Sequence, residues 1–217
     1  MASEMIYNAR ADFDPDMARS AELLRNQVDR FDLLLSDLLE MSKIDAGASP
    51  LESAPVDLTS VTESILRDNE VIAAEYSTKF TFESHGDTMV TADKRRVSRI
   101  IRNLIVNAIE HCDGTNVEVQ IMGNESCVSI SVRDHGQGIA VEDISRVFGR
   151  FWRADPARQR TLGGTGLGLS ISAEDAALHG GIIDVWGAPN EGAQFVLTLP
   201  RLELGAITDV AISAGAP

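Results

Sequence analysis

Asn103-Leu-Ile-Val-Asn107-Ala-Ile-Glu-His111 is the stretch of this 217-residue chain that decides its fold, because three further motifs follow it in a specific order. They are Asp134-His-Gly136-Gln-Gly138, Phe148-Gly-Arg-Phe151-Trp-Arg153 and Gly164-Thr-Gly166-Leu-Gly168-Leu. Each motif is weak evidence when it is taken alone. In this order they predict a nucleotide pocket, which combines a polar helix face, an acid beside glycines, a lid and a glycine-rich turn.

The first motif predicts a helix with one polar face. Asn103 and Asn107 lie one turn apart, and Glu110 or His111 follows at the same spacing, so these side chains share a face. The opposite face can pack, since it carries Ile101, Leu104, Ile105, Ala108 and Ile109. Amide oxygens in a cleft suit Mg²⁺, which keeps several waters and binds phosphate oxygens of its ligand. A helix with polar residues on its solvent side is the alternative.

The second motif follows a predicted strand. The carboxylate of Asp134 can accept a hydrogen bond from an exocyclic amine, and Gly136 and Gly138 let the backbone approach a flat ring closely. A strand-ending turn is the alternative interpretation, because Asp-x-Gly is common in such turns.

The last motif begins a predicted helix, where backbone N–H groups bind phosphate well. A dinucleotide-binding Rossmann site is rejected because no strand precedes the glycines, and a P-loop is rejected because the chain has no Gly-Lys-[Ser/Thr]. Residues 139–163 separate the acid from the glycines and are predicted to form a lid, with an ordinary basic surface loop as the alternative. This segment contains Arg150, Arg153, Arg158 and Arg160.

Composition narrows the class of partner. The chain has 33 acidic and 19 basic residues, a formal net charge of −14. Such a field repels a phosphate backbone, so no nucleic-acid partner is expected. Cys112 and Cys127 lack zinc or redox spacing and are predicted to be structural thiols of a reducing compartment. No apolar run is long enough to span a membrane.

Three regions are predicted along the chain. Residues 1–47 are expected to be helical, because apolar residues recur at heptad spacing from Met17 to Leu38. Residues 2–10 are predicted to form a short partner helix, which a turn at residues 12–15 joins to the long helix. One short helix cannot cover the stripe, so the missing partner is predicted to be another subunit or upstream sequence. Packing on the following domain is the alternative. Residues 55–201 are predicted to form a second domain, and the small residues of 202–217 predict a flexible, frayed tail.

The second domain mixes predicted helices and strands. Helices are expected over residues 58–75, 93–112 and 164–179. Strands are expected over residues 78–84 and 88–91, which a turn joins, in a hairpin of residues 117–121 and 128–132, and in a final pair of residues 182–186 and 194–199. The predicted fold class is therefore an α/β (α+β) two-layer sandwich, a mixed sheet covered by helices.

Together the motifs resemble the N, G1, F and G2 boxes of the ATP-binding domain of sensor histidine kinases, in the superfamily shared with gyrase, Hsp90 and MutL. The resemblance implies a Bergerat-type ATP-binding fold, with ATP and Mg²⁺ as cofactors. It implies that Asn107 holds Mg²⁺, that Asn103 supports the phosphates and that Asp134 binds the adenine amine. Arg153 is implied as a third catalytic residue beside the two asparagines. Further nucleotide contacts are implied for His111, Gly136, Gly138, Ile139, Phe148, Gly164, Thr165, Gly166, Leu167, Gly168 and Leu169.

Residues 35–47 are similar to the second helix of that family's dimerisation and phosphotransfer domain. The resemblance thus implies that residues 1–47 are a helical-hairpin remnant of a dimerisation bundle. The full kinase would be a homodimer that passes the γ-phosphoryl of ATP to a histidine and then to a response-regulator aspartate. This chain would be its cytoplasmic part, reaching a bacterial membrane only through upstream segments. None of the histidines has the family's His-Glu-[Leu/Phe]-Arg-x-Pro context, so the chain is expected to lack the phosphoacceptor: His85, His111, His135 and His179.

The chain departs from the family pattern at two places. Glu110-His111 stands where the family often has Lys-Tyr, and Ala193-Gln194 stands where a threonine often precedes the phenylalanine.

A hydrolytic ATPase or an anti-sigma serine kinase is disfavoured as an alternative function. Those proteins place a glutamate base at the position of Asn103, and an amide cannot take a proton from water. A degenerate kinase that acts as a dimerisation or scaffold module is the other alternative.

Overall fold

A computed structural model describes residues 15–45, 50–153, 165–202, 205, 207 and 209–215. Its elements follow in the order α1 (Pro15–Asp45), β1 (Ala54–Asp57), α2 (Leu58–Glu75), β2 (Phe80–His85), β3 (Met89–Ala92), α3 (Lys94–His111), β4 (Val117–Gly123), β5 (Cys127–Asp134), a 3-10 helix (Val141–Arg146), α4 (Gly168–Leu178), β6 (Ile182–Gly187) and β7 (Ala193–Pro200). The predicted helix at residues 2–10 and its following turn at residues 12–14 lie outside the described residues.

One mixed sheet organises the second domain. Its five strands lie in the order β2-β4-β5-β7-β6, with β2 and β4 parallel and all other neighbours antiparallel. Alternate residues of β5 (Val128, Ile130 and Val132) join one hydrophobic core with apolar residues of α2 and α3. The predicted two-layer α/β sandwich with a mixed sheet is therefore confirmed, and so is the predicted hairpin of β4 and β5.

The pairing of the early strands differs from the simplest prediction. Residues 78–84 and 88–91 contain strands, but these do not pair with each other. β3 instead pairs with β1 in a separate antiparallel sheet, in which Pro55 lies opposite Thr91. Pro55 can occupy β1, because an edge strand with a neighbour on one side only tolerates a residue that lacks an N–H group.

Side-chain caps and ion pairs fix the helices that border the site. The Asp93 carboxylate caps α3 by accepting hydrogen bonds from the backbone N–H groups of Arg95 and Arg96. Buried Asp175 of α4 accepts hydrogen bonds from Arg96 at 2.7 Å and from Arg99 at 2.6 Å. Since removing one partner of a buried ion pair leaves an uncompensated charge, this contact holds α3 and α4 in one arrangement.

Helix α1 contacts the second domain near its C-terminal end. Met41 packs with Leu167 and Ile171, and the carboxylate of Glu40 lies 3.3 Å from the Arg99 guanidinium. The heptad stripe before it is 44–62% exposed, and its members are Met17, Leu24, Val28, Phe31, Leu35 and Leu38. Packing on the following domain thus covers the end of the helix and leaves the stripe open. No helix among the described residues is long and apolar enough to cross a membrane.

Part of the C-terminal tail packs against the sheet. The backbone carbonyl of Asp209 accepts hydrogen bonds from Asn124 Nδ2 at 2.8 Å and from Cys127 Sγ at 3.2 Å. The backbone N–H of Gly215 donates to Gln194 Oε1 at 3.0 Å. These contacts differ from the frayed end that composition predicts, because the sheet offers polar groups that pair with the tail backbone.

Candidate functional site

The polar face of α3 connects directly to the glycine-rich turn. Asn103 Nδ2 donates hydrogen bonds to the Gly168 carbonyl and to Ser172 Oγ, both at 3.0 Å. Ser172 Oγ in turn donates to the Gly168 carbonyl at 2.8 Å. Asn103 therefore fixes the first turn of α4. Asn107 lies one turn further along α3 and is half-buried.

The glycine-rich turn precedes α4, which begins at Gly168 rather than at residue 164 as predicted. Gly164 lies outside the described residues. The Thr165 hydroxyl donates to Asp37 Oδ2 of α1 at 2.7 Å and accepts from the Leu167 N–H at 3.2 Å. Leu167 is buried against α1, while Leu169 packs against the main core. The turn thus contacts α3 on one side and α1 on the other.

Asp134 ends β5 as predicted, and its side chain is almost completely buried, at 1% exposure. Its Oδ1 accepts a hydrogen bond from the Gly136 N–H at 3.0 Å. Burial raises the pKa of this carboxyl above its ordinary value, and backbone hydrogen bonds from Gly136 and Ala193 oppose that effect. A buried carboxylate is costly to maintain for packing alone, so such a group is a candidate for ligand recognition.

The glycines after Asp134 are required by packing inside the protein. A Cβ atom at Gly136 would overlap the His111 carbonyl, and one at Gly138 would overlap the Ala188 carbonyl. The loop is therefore pressed between the end of α3 and the turn that joins β6 to β7. Ile139 continues this contact, because its side chain meets the backbone at Gly187.

Gln137 is a site residue that the sequence analysis missed. Its Nε2 lies 2.9 Å from Nδ1 of His111, and its backbone carbonyl accepts a hydrogen bond from the Asn190 N–H at 2.8 Å. A long polar side chain between two glycines is the signal in the sequence that could have found it. It joins the acid-bearing loop to α3 and to the β6–β7 turn.

The third motif closes the base of the predicted lid. Phe148 packs edge-on against Phe195 with ring centroids 6.3 Å apart. The Phe151 N–H donates to the Gly166 carbonyl at 2.9 Å, so this motif is joined to the glycine-rich turn. Arg150 pairs with Glu174 of α4 at 3.0 Å, and Arg153 is half-buried. Arg158 and Arg160 lie outside the described residues.

The side chains at this site fit a metal ion that binds together with a nucleotide. Among the described residues there is no cluster of three or more histidines, cysteines or acids that could hold a metal ion. The amide oxygen of half-buried Asn107 is a neutral ligand that would leave most of the coordination sphere of Mg²⁺ to phosphate and water, as this ion prefers. The arrangement can therefore accept a magnesium–nucleotide complex.

Comparisons with known proteins identify the family of this chain. The family described as "Histidine kinase-, DNA gyrase B-, and HSP90-like ATPase" matches residues 92–203. The chain is 46% identical over 209 residues to the sensor histidine kinase MtrB of Mycolicibacterium paratuberculosis, which covers 96% of this chain and 37% of that protein. This similarity confirms the narrower likeness to the Mtr-type sensor kinase that residues 2–7 and 151–156 suggest.

Solved structures show the same fold. The catalytic domain of the histidine kinase ThkA, in a nucleotide-free form, superposes with a TM-score of 0.62 at 26% identity, over 70% of this chain and 97% of that chain. Full-length ShkA in complex with AMPPNP superposes with a TM-score of 0.74 at 24% identity, over 92% of this chain and 41% of that chain. The second likeness includes the helical region that precedes the sandwich.

Proposed function

Since the chain belongs to the family of histidine kinase-, DNA gyrase B- and HSP90-like ATPases, we propose that it is the catalytic part of a sensor histidine kinase. It binds Mg-ATP and donates the γ-phosphoryl group to a histidine of the full protein, for relay to a response-regulator aspartate. The chain spans 37% of the length of its MtrB relative.

The roles of the site residues follow from their chemistry. The Asn107 amide oxygen would hold Mg²⁺, which would neutralise phosphate charge. Asp134 accepts a hydrogen bond from the adenine amine, and backbone N–H groups of the glycine-rich turn bind the phosphates. Arg153 neutralises charge that develops on the transferred group. The bond from the γ-phosphorus to the β–γ bridging oxygen breaks, a bond from that phosphorus to an imidazole nitrogen forms, and ADP leaves.

The observation that carries the proposal is the double contact of α3. Its polar face is hydrogen-bonded to the glycine-rich turn through Asn103, and its C-terminal end is packed against the acid-bearing loop through Gly136. The three predicted parts of a nucleotide cleft, distant in sequence, thus share one helix as a common support. A scaffold without a ligand has no need for a buried carboxylate at this point.

Asn103 supports phosphoryl transfer over hydrolysis. Its Nδ2 is occupied by two hydrogen bonds to α4, and an amide cannot act as the general base that activates water. A kinase needs no such base on its own site, because the acceptor imidazole supplies the nucleophile.

The test is transfer in trans. This chain is mixed with a version that is extended upstream to include the acceptor histidine and that carries Asn107→Ala, and label from ATP is followed. We expect label on the extended chain, which cannot use its own ATP site. Absence of label, under conditions in which the intact extended kinase labels itself, would favour the scaffold function.

A further inference from the structure

Helix α1 contacts the glycine-rich turn through one of its faces. Asp37 and Met41 lie one helical turn apart, so their side chains share that face. The Asp37 carboxylate accepts a hydrogen bond from the Thr165 hydroxyl at 2.7 Å, and Met41 packs with buried Leu167 and Ile171. Both contacts end on the turn or on the first turn of α4, which follows it. The helix therefore fixes the turn through one polar and one apolar contact.

The polar contact occupies two hydrogen-bond donors of the turn. The Thr165 hydroxyl has a single proton, which it donates to Asp37 Oδ2. Its oxygen accepts a hydrogen bond from the Leu167 N–H at 3.2 Å, so the proton of that group is directed at the hydroxyl. The proposed function assigns the donors of this turn to phosphate oxygens, and each of these two groups has one proton to give. Phosphate binding to these donors therefore requires that both hydrogen bonds open.

The charge of α1 acts in the same direction. Asp37 and Glu40 place two carboxylates on the side of α1 that faces the sandwich. Glu40 lies 3.3 Å from the guanidinium of Arg99, which compensates its charge. The Thr165 hydroxyl is neutral, so its hydrogen bond does not neutralise the Asp37 carboxylate. A negative charge at this position repels a polyphosphate.

We infer that α1 and Mg-ATP compete for the glycine-rich turn, so that the Asp37 contact keeps the donors of the empty turn away from phosphate. The inference rests on the proposed function and adds a regulation of that same site. Two interactions that exclude each other weaken each other by the same factor. A displacement of α1 would therefore raise the affinity for Mg-ATP, and bound Mg-ATP would loosen the docked end of α1.

The first test is the dissociation constant for Mg-ATP of Asp37→Ala, measured by calorimetry. We expect it to fall at least about fivefold, the lower end of typical coupling between two sites. Asp32→Ala is the matched control, because it removes the same charge from an exposed position of the same helix and should leave the constant unchanged. A thermal unfolding curve checks that both variants fold.

Two outcomes of this titration would count against different claims. A dissociation constant for Asp37→Ala that equals or exceeds that of Asp32→Ala would overturn the inference, because the contact would then not oppose the nucleotide. Failure of the parent chain to bind Mg-ATP would instead overturn the proposed function.

The second test measures the reciprocal effect at the docked end of α1. Met41 is 5% exposed, so a thiol introduced by Met41→Cys should react slowly with a thiol reagent in the empty protein. We expect saturating Mg-ATP to raise its labelling rate at least about fivefold, since the coupling is mutual. Leu39→Cys is the control, because this position is already 63% exposed and its rate should not change. Unchanged or slower labelling at position 41 would overturn the inference.

Discussion

At the scale of single residues, protein stability and nucleotide binding favour different protonation states of Asp134. Its burial raises the pKa of the carboxyl, so the charged form is disfavoured in the empty protein. The proposed contact with an adenine amine needs the same group as a charged acceptor. Residues held at a cost to folding are typical of ligand sites. The sign of the pKa shift makes this conflict measurable.

Asp134→Asn is expected to weaken Mg-ATP binding. Its free energy of unfolding, compared with that of the parent chain, should become more favourable as the pH rises. The raised pKa means that the wild-type carboxyl favours folding at low pH and loses that contribution as the pH rises through its folded-state pKa. The amide keeps the acceptor for Gly136 but does not titrate. Urea unfolding between about pH 4 and pH 7 should give a stability difference that grows in favour of the variant. The dissociation constant should rise about tenfold or more. A stability difference that is independent of pH would contradict the account.

At the scale of elements, the C-terminal tail covers part of one face of the sheet. Side chains of β5 that point away from the helices are buried, including Cys127 and Ser129, and Ser129 shares a 2.9 Å hydrogen bond with Thr198 of β7. A sheet face without a cover would expose them to water. The hydrogen bonds of Asp209 and Gly215 attach the tail to two separate points of this face.

A chain that ends at Leu202 should expose Cys127 to a thiol reagent. Cys112 provides the internal control, because it lies in the core between α3 and the sheet. We expect the labelling rate of the Cys127 thiol to rise at least about tenfold, while that of Cys112 stays unchanged. A tenfold rise corresponds to a fall of roughly 1.4 kcal/mol in the free energy of local opening. Adding Cys127→Ser to the shortened chain should abolish this rise. Equal labelling of the long and short chains would show that the tail does not cover the sheet.

Local sequence rules predict most elements but not their partners. The Asp93 cap predicts the start of α3, and alternation predicts the β4–β5 hairpin, because both signals are local in sequence. The pairing of β1 with β3 depends on residues 38 positions apart at Ala54 and Ala92, and no local pattern records it. The site divides in the same way: the motifs predict Asn103 and Asp134, whereas the role of Gln137 depends on the tertiary contact with His111.

At the scale of the whole molecule, a nucleotide cleft and a helix of the proposed dimerisation bundle meet at the glycine-rich turn. Asp37 of α1 accepts a hydrogen bond from Thr165, and Asn103 of α3 bonds to Gly168 on the other side of the turn. The exposed stripe of α1 is available to a partner helix. The longer kinase would use this arrangement to bring the phosphoryl donor and the acceptor histidine together. The expectations for the nucleotide cleft depend on the binding of Mg-ATP.

The most direct measurement is calorimetric titration of the purified chain with Mg-ATP, beside Asn107→Ala and, as a matched control, Asn116→Ala at an exposed position between α3 and β4. The parent chain and Asn116→Ala should bind equally. Asn107→Ala should lose at least about 100-fold in affinity, the upper end of what changes around metal sites cause. Equal affinity of all three proteins would contradict the assignment of Asn107, and absence of binding by the parent chain would contradict the nucleotide site itself.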